Sequence, residues 1–208
     1  MTSQELMPKA GPFRVAAAKL WLKFFGWKAV GTVPSLSHCI FIAAPHTSNW
    51  DLPHTIAVCW ALDMRISWVG KSSLFKFPFV TFLKWMGGVP VIRDQKLSQV
   101  QRIAETLKRE KKMFLVISPP GTRTKMDHWK SGFYHISREA NVPVLCGFLD
   151  WSKKEGGIGP LVTPTGDVKL DMDKIREFYR PINGRFPAQM SDMRLKEEDG
   201  QVEVAKAS

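Results

Sequence analysis

The chain has 208 residues and carries 30 Lys and Arg against 19 Asp and Glu, a formal charge of +11. That length suits one domain around one core, and a positive field of this size selects anionic partners such as nucleic acid, anionic lipid or a phosphorylated small molecule. Eight Trp and thirteen Phe against two Tyr, with no motif that interleaves aromatics with Arg for reading bases, set nucleic acid aside in favour of lipid.

In chain order, residues 1–11 are polar and expected to be disordered. Residues 12–27 form a basic amphipathic helix in which Val15, Leu20, Leu22, Phe24 and Phe25 alternate with Arg14, Lys19 and Lys23. Such a helix suits the headgroup layer of a membrane, or else packs on its own domain, since its apolar residues fall on more than one face. Lys19, Lys23 and Lys28 interrupt this stretch, which argues against a signal peptide. No uncharged run approaches the roughly 18 residues that cross a bilayer. The expected location is the cytoplasm, peripheral on the inner face of the membrane.

From residue 39 short apolar runs alternate with longer helical stretches, which predicts an α/β domain with a mostly parallel sheet flanked by helices over residues 28–182. The predicted strands are 39–44, 66–69, 89–92, 113–118 and 142–148. The predicted helices are 50–64, 73–86 (broken or bent at Pro78), 97–112 and 131–140, and a short one at 171–179 starts near Asp171 or Asp173. Residues 183–208 are expected as a mostly disordered tail. Cys39, Cys59 and Cys146 lie in apolar surroundings without paired spacing and are expected as small buried hydrophobes in a reducing compartment.

His46-Thr47-Ser48-Asn49-Trp50-Asp51 joins a strand to a helix, which places His46 at the carboxyl end of the strand, where sheets of this class bind ligands. A strand-to-helix turn can fold the imidazole onto Asp51, giving a base and its orienting carboxylate. Two other readings stand beside this one: His46 and Asp51 as a structural cap, and His46, Asp51 and His54 as metal ligands, for which no further ligand cluster exists. Ser118-Pro119-Pro120-Gly121-Thr122-Arg123 opens on the same sheet edge; Gly121 allows close backbone approach, and Arg123 either grips a phosphate or sits exposed on a plain turn. Gly70-Lys71-Ser72 has Arg65 where a phosphate-binding P-loop needs its first glycine, and no Gly-x-Ser-x-Gly elbow is present. Gly87-Gly88 leads into a strand ending at Arg93, a second phosphate ligand or a surface charge.

In order, these segments and Val142-Pro143-Val144 resemble the four motif blocks of the glycerolipid acyltransferase family, over about residues 25–182. His46 to Asp51 matches the first block; Gly70-Lys71 with Gly88 to Arg93 resembles the second, and the Gly121-Thr122-Arg123 loop the third. The resemblance implies that His46 deprotonates an acceptor hydroxyl, which attacks an acyl thioester on coenzyme A or acyl carrier protein, with no metal and no cofactor. Asp51 orients His46, and Lys71, Arg93, Gly121, Thr122 and Arg123 bind the acceptor, a lysophospholipid such as 1-acylglycerol-3-phosphate. Backbone amides near the first helix of the domain are expected to stabilise the oxyanion. The third block usually has Glu where this chain has Pro120, which loses a carboxylate and a backbone donor and bears on which acceptor is used.

Overall fold

In a computed structural model, the protein is described over residues 7–71, 75–91 and 98–200. The described elements are, in order, α1 (Pro12–Phe25), β1 (Lys28–Val30), β2 (His38–Ala44), α2 (Asp51–Ala61), β3 (Ile66–Lys71), α3 (Val80–Trp85), β4 (Gly88–Val91), α4 (Gln99–Arg109), β5 (Met113–Ile117), α5 (Gly132–Ala140), β6 (Val144–Asp150), β7 (Glu155–Val162) and α6 (Val168–Tyr179). Seven strands form one sheet in the order β1-β7-β6-β2-β5-β3-β4. Every pairing is parallel except β6 with β7.

The alternation of β2 shows why the sheet is covered on both faces. Ile40 and Ile42 point to one side, into a core shared with α4, α5 and α6, through Leu107, Phe133 and Tyr179. Cys39 and Phe41 point to the other, against α1 and α2 through Leu22, Val58 and Cys59. Each large side chain taken from water in this way contributes about 1.5–3 kcal/mol. All three cysteines are buried and unbridged, as their surroundings predict, and burial pushes the Cys59 and Cys146 thiols up.

The five predicted strands are present, as are three of the predicted crossover helices, but the helix expected over 73–86 is described only as Val80–Trp85, starting after Pro78; the remaining differences have local causes. Strand β7 was not anticipated because Gly156, Gly157 and Gly159 dilute its apolar pattern. Those glycines are needed for close approach: a Cβ on Gly157 would lie 2.0 Å from the Val30 carbonyl of the edge strand β1. Helix α6 starts earlier than expected, capped by Asp167, whose carboxylate accepts from the Leu170 N–H at 3.0 Å. Asp171 is instead fully buried and accepts from the Tyr134 hydroxyl and the Thr165 N–H.

Both expected termini need correction where they are described. Residues 7–11 pack on the domain: Ala10 is buried and the Gly11 N–H donates to Asp63 Oδ1 at 3.0 Å. Residues 183–200 are no loose tail, because Leu195 is fully buried in the main core and Trp129 N–H donates to the Arg194 carbonyl at 2.8 Å. A single buried leucine and a few backbone bonds anchor a segment whose composition is otherwise that of a solvated chain. Residues 1–6 and 201–208 lie outside the described residues.

Helix α1 packs on the domain along one side and leaves an apolar stripe exposed on another. Ala18 and Leu22 are buried against the domain, while Phe13, Leu20 and Phe24 are 77%, 70% and 82% exposed. Positions 13, 17, 20 and 24 follow one another along one helical face, flanked by Lys19 and Lys23. Helix α3 lies beside it: an Arg14 guanidinium N–H donates to the Trp85 carbonyl at 3.3 Å, and its guanidinium sits 5.0 Å from the Trp85 ring centre. Phe77, Phe79 and Phe82 extend the exposed aromatic surface, Phe77 being 92% exposed. No described helix is long and apolar enough to cross a membrane.

Candidate active site

Strand β2 ends at Ala44, and the chain turns through Pro45 to Trp50 before α2 starts at Asp51. This turn brings His46 Nδ1 to 3.2 Å from Asp51 Oδ2. The same Oδ2 accepts the N–H groups of Thr47 and Ser48, each at 2.8 Å, so the carboxylate itself shapes the turn that presents the histidine. Asp51 Oδ1 accepts the indole N–H of Trp151 at 2.8 Å. Burial alone would raise the Asp51 carboxyl, but His46, Ser48, Trp151 and Thr47 together hold it below its usual value. Asp51 is therefore a buried, ionised acceptor with both oxygens in use. With Nδ1 facing Asp51, Nε2 of His46 is the ring nitrogen left for a ligand.

Trp151 had no signal in the sequence, because it lies 100 residues from Asp51 in the turn between β6 and β7. Asp150 fixes that turn by accepting from the Ser152 N–H at 3.0 Å and the Ser152 hydroxyl at 2.5 Å. The indole packs edge-on against Trp27, centres 4.9 Å apart, and beside His54 at 5.3 Å. His54 is buried among these rings with Nδ1 bonded to the Trp50 carbonyl at 2.8 Å. Its Nε2 has no hydrogen-bond partner among the described residues. His54 thus faces aromatic rings and not the His46–Asp51 pair, and no group of three metal-ligating side chains is found among the described residues.

His46 and Asp51 line a cavity of about 240 Å³ that runs between α2 and the sheet. Its walls are mainly apolar, from Phe41, Val58, Cys59, Val116, Phe148 and Leu149, and Arg123 and Ser118 stand with His46 among the polar groups. Gly147 is required here, because a Cβ would lie 1.9 Å from the Phe41 ring. The Ser118 hydroxyl is buried and has no partner among the described residues.

The structure thus joins His46, Asp51 and Arg123, as the sequence predicted, and adds Trp151. The loop carrying Arg123 is a tight turn in which Gly121 N–H donates to the Ser118 carbonyl at 2.9 Å, with Gly121 at φ 65°. Thr122 turns its hydroxyl to that of Thr124 at 3.0 Å. Pro120 is buried and lines neither this cavity nor the cleft beside it. Lys71 ends β3, its backbone paired with Val91. Arg93 lies outside the described residues. Of the backbone amides near the start of α2, those of Thr47 and Ser48 are occupied by Asp51.

His46, paired with the buried carboxylate of Asp51, thus stands at the carboxyl edge of a mostly parallel sheet beside an apolar cavity. A family model described as Acyltransferase matches residues 23–146, more than half of the chain, and the chain belongs to that family. It is similar to the 1-acyl-sn-glycerol-3-phosphate acyltransferase of Haemophilus influenzae, with 26% identity over 131 residues. That match covers 58% of this chain and 53% of the relative, so the chain aligns with about half the relative's length. In fold it is similar to the crystal structure of the 1-acyl-sn-glycerophosphate (LPA) acyltransferase PlsC from Thermotoga maritima, with a TM-score of 0.53 and 18% identity, over 79% of this chain and 74% of that one.

Proposed function

We propose that the protein transfers a fatty acyl chain from a thioester, on coenzyme A or acyl carrier protein, to a hydroxyl of a lysophospholipid of the 1-acylglycerol-3-phosphate type. The observation that carries this reading is the His46–Asp51 pair opening into an apolar cavity with Arg123 at the same place. His46 Nε2 takes the proton of the acceptor hydroxyl as its oxygen attacks the thioester carbonyl carbon. Asp51 stabilises the imidazolium. The C–S bond then breaks, the thiolate takes the proton from His46, and an ester and a free thiol leave. The Ser118 hydroxyl is the donor available to the developing oxyanion. The apolar walls suit a hydrocarbon chain, and Arg123, with Gly121 and Thr122 shaping its loop, meets the acceptor's phosphate; Lys71 and Arg93 are further ligands for that group.

The exposed stripe of α1 and the aromatic surface of α3, with Lys19 and Lys23 at the edge, fit docking on an anionic membrane. A lipid acceptor would then enter from the layer in which it resides.

The test incubates purified protein with acyl-coenzyme A or acylated carrier protein and a panel of lysolipids, following free thiol, beside His46→Ala. Acceptor-dependent thiol release that the substitution abolishes, with liposome binding retained, is the expected result. Equal release by both proteins with every donor and acceptor overturns the assignment.

A further inference from the structure

Arg185 belongs to the segment 183–190, beyond the part of the chain that the family model matches. It nevertheless lines a cleft of about 370 Å³ beside the active site, together with Thr47, Ser48, Asn49, Arg123 and Gln189. Asn49 and Arg123 line both this cleft and the apolar cavity that holds His46. A molecule lying across the two would have its polar end between two arginines and its hydrocarbon in the cavity. We propose that Arg185 is a specificity-determining residue that completes, with Arg123, a subsite for a phosphate monoester. The inference rests on the acyl-transfer reading only for the role of that phosphate in turnover.

Three observations support the subsite. First, Arg185 is held in place: its guanidinium carbon lies 4.9 Å from the Trp151 ring centre and 5.6 Å from that of Phe186. Stacking of that kind fixes the plane of the fork and leaves its N–H edge for an anion. Second, among the described residues no salt bridge pairs either Arg123 or Arg185 with a carboxylate. Two guanidinium groups lining one cleft, neither held in an ion pair among the described residues, leave forked donors for an anion there.

Third, the segment is tied to the catalytic turn, so Arg185 keeps a set offset from His46. Phe186 N–H donates to the Thr47 hydroxyl at 3.2 Å, and the Asn183 carbonyl accepts from the Trp151 N–H at 2.9 Å. In the orientation that satisfies its amide, Gln189 donates to the carbonyls of Thr47 and Arg123, each at 3.1 Å. Gly184 permits this approach, since a Cβ there would lie 2.9 Å from the Thr47 hydroxyl oxygen.

The phosphate could belong to the glycerolipid acceptor or to coenzyme A, and the chemistry recognised is the same. The experiment titrates the ¹⁵N-labelled full chain with sn-glycerol 3-phosphate, with coenzyme A and with glycerol, observing the Arg123 and Arg185 side chains and the Trp151 indole. Saturable shifts with a phosphate and none with glycerol are expected. Affinity should fall about tenfold to a hundredfold in Arg185→Gln, the loss of hydrogen bonds to a charged group, and recover in part in Arg185→Lys. In turnover, Arg185→Gln should lower the preference for a phosphate-bearing acceptor over a monoacylglycerol by at least about tenfold, through KM more than kcat. If coenzyme A alone shifts these signals and the KM of the donor rises instead, the subsite stands and its phosphate is the donor's. Unchanged affinity for both phosphates in Arg185→Gln overturns the proposal. Phosphate-dependent shifts without thiol release from any substrate would leave the subsite and remove acyl transfer.

Discussion

Trp151→Phe removes one proton donor from the active site and little else. The indole N–H lies 2.8 Å from Asp51 Oδ1, an oxygen of a residue only 3% exposed, so water cannot readily replace it. A hydrogen bond to a buried charge contributes about 1.5–3 kcal/mol, and phenylalanine keeps most of the ring contact with Trp27 and His54. The substitution should therefore lower unfolding stability at neutral pH by about that amount, read by urea denaturation. With one donor lost, the Asp51 carboxyl moves back up. Because the wild-type carboxyl sits below its unfolded value, its contribution to stability is full above about pH 4 and is lost as pH falls through the lower folded value. The variant should lose it at higher pH than wild type. Since Asp51 orients His46, kcat for thiol release should fall about tenfold, one barrier increment of about 1.4 kcal/mol, while KM for the acceptor changes little. A variant with kcat within about twofold of wild type and stability within about 0.5 kcal/mol would refute the assignment of Trp151 as a positioning residue.

Other substitutions examine other parts of the reading. Replacing Phe13, Leu20 and Phe24 together by Ser should weaken binding to anionic liposomes by at least about a hundredfold, since burying each such side chain contributes about 1.5–3 kcal/mol; thermal stability should hold because all three are exposed, and equal sedimentation with vesicles would end the membrane-docking reading. Gly147→Ala drives a methyl into the Phe41 ring and should cost about 1–3 kcal/mol of stability, together with a shift toward shorter acyl donors in a chain-length panel; an unchanged chain-length profile would detach this cavity from the acyl chain. For His54, burial holds the imidazole below its usual value. Its neutral form is favoured in the fold, so stability is full above about pH 6.5 and declines as pH falls toward the lower folded value. His54→Phe should flatten that decline in urea titrations at successive pH values, and an identical slope would show that His54 is not its source.

How much of this was legible beforehand follows from the range of each interaction. The strands announce themselves through local pattern: Ile40 and Ile42 alternate with Cys39 and Phe41 whatever the rest of the chain does. The pairing of His46 with Asp51 is also local, because one strand-to-helix turn closes it, and the loop of Arg123 was placed on the same sheet edge because it follows a parallel strand. Strand β7 escaped because glycine, needed for close backbone contact, carries no apolar signal. Residues 183–200 escaped because their anchoring depends on single buried contacts such as Leu195 and on backbone bonds to Trp129 and Trp151, which composition does not record.

The sequence by itself determined the α/β class and the local pairing of His46 with Asp51, and it carried the resemblance to the acyltransferase family, since these rest on periodicity and on residues near one another along the chain. Only the tertiary structure decided what surrounds that pair. It brought Trp151 to Asp51 from 100 residues away and set Arg185 on the same cleft as Arg123. Each of these is a contact between segments whose separation in sequence says nothing of their distance in space; sheet order and packing alone fix it.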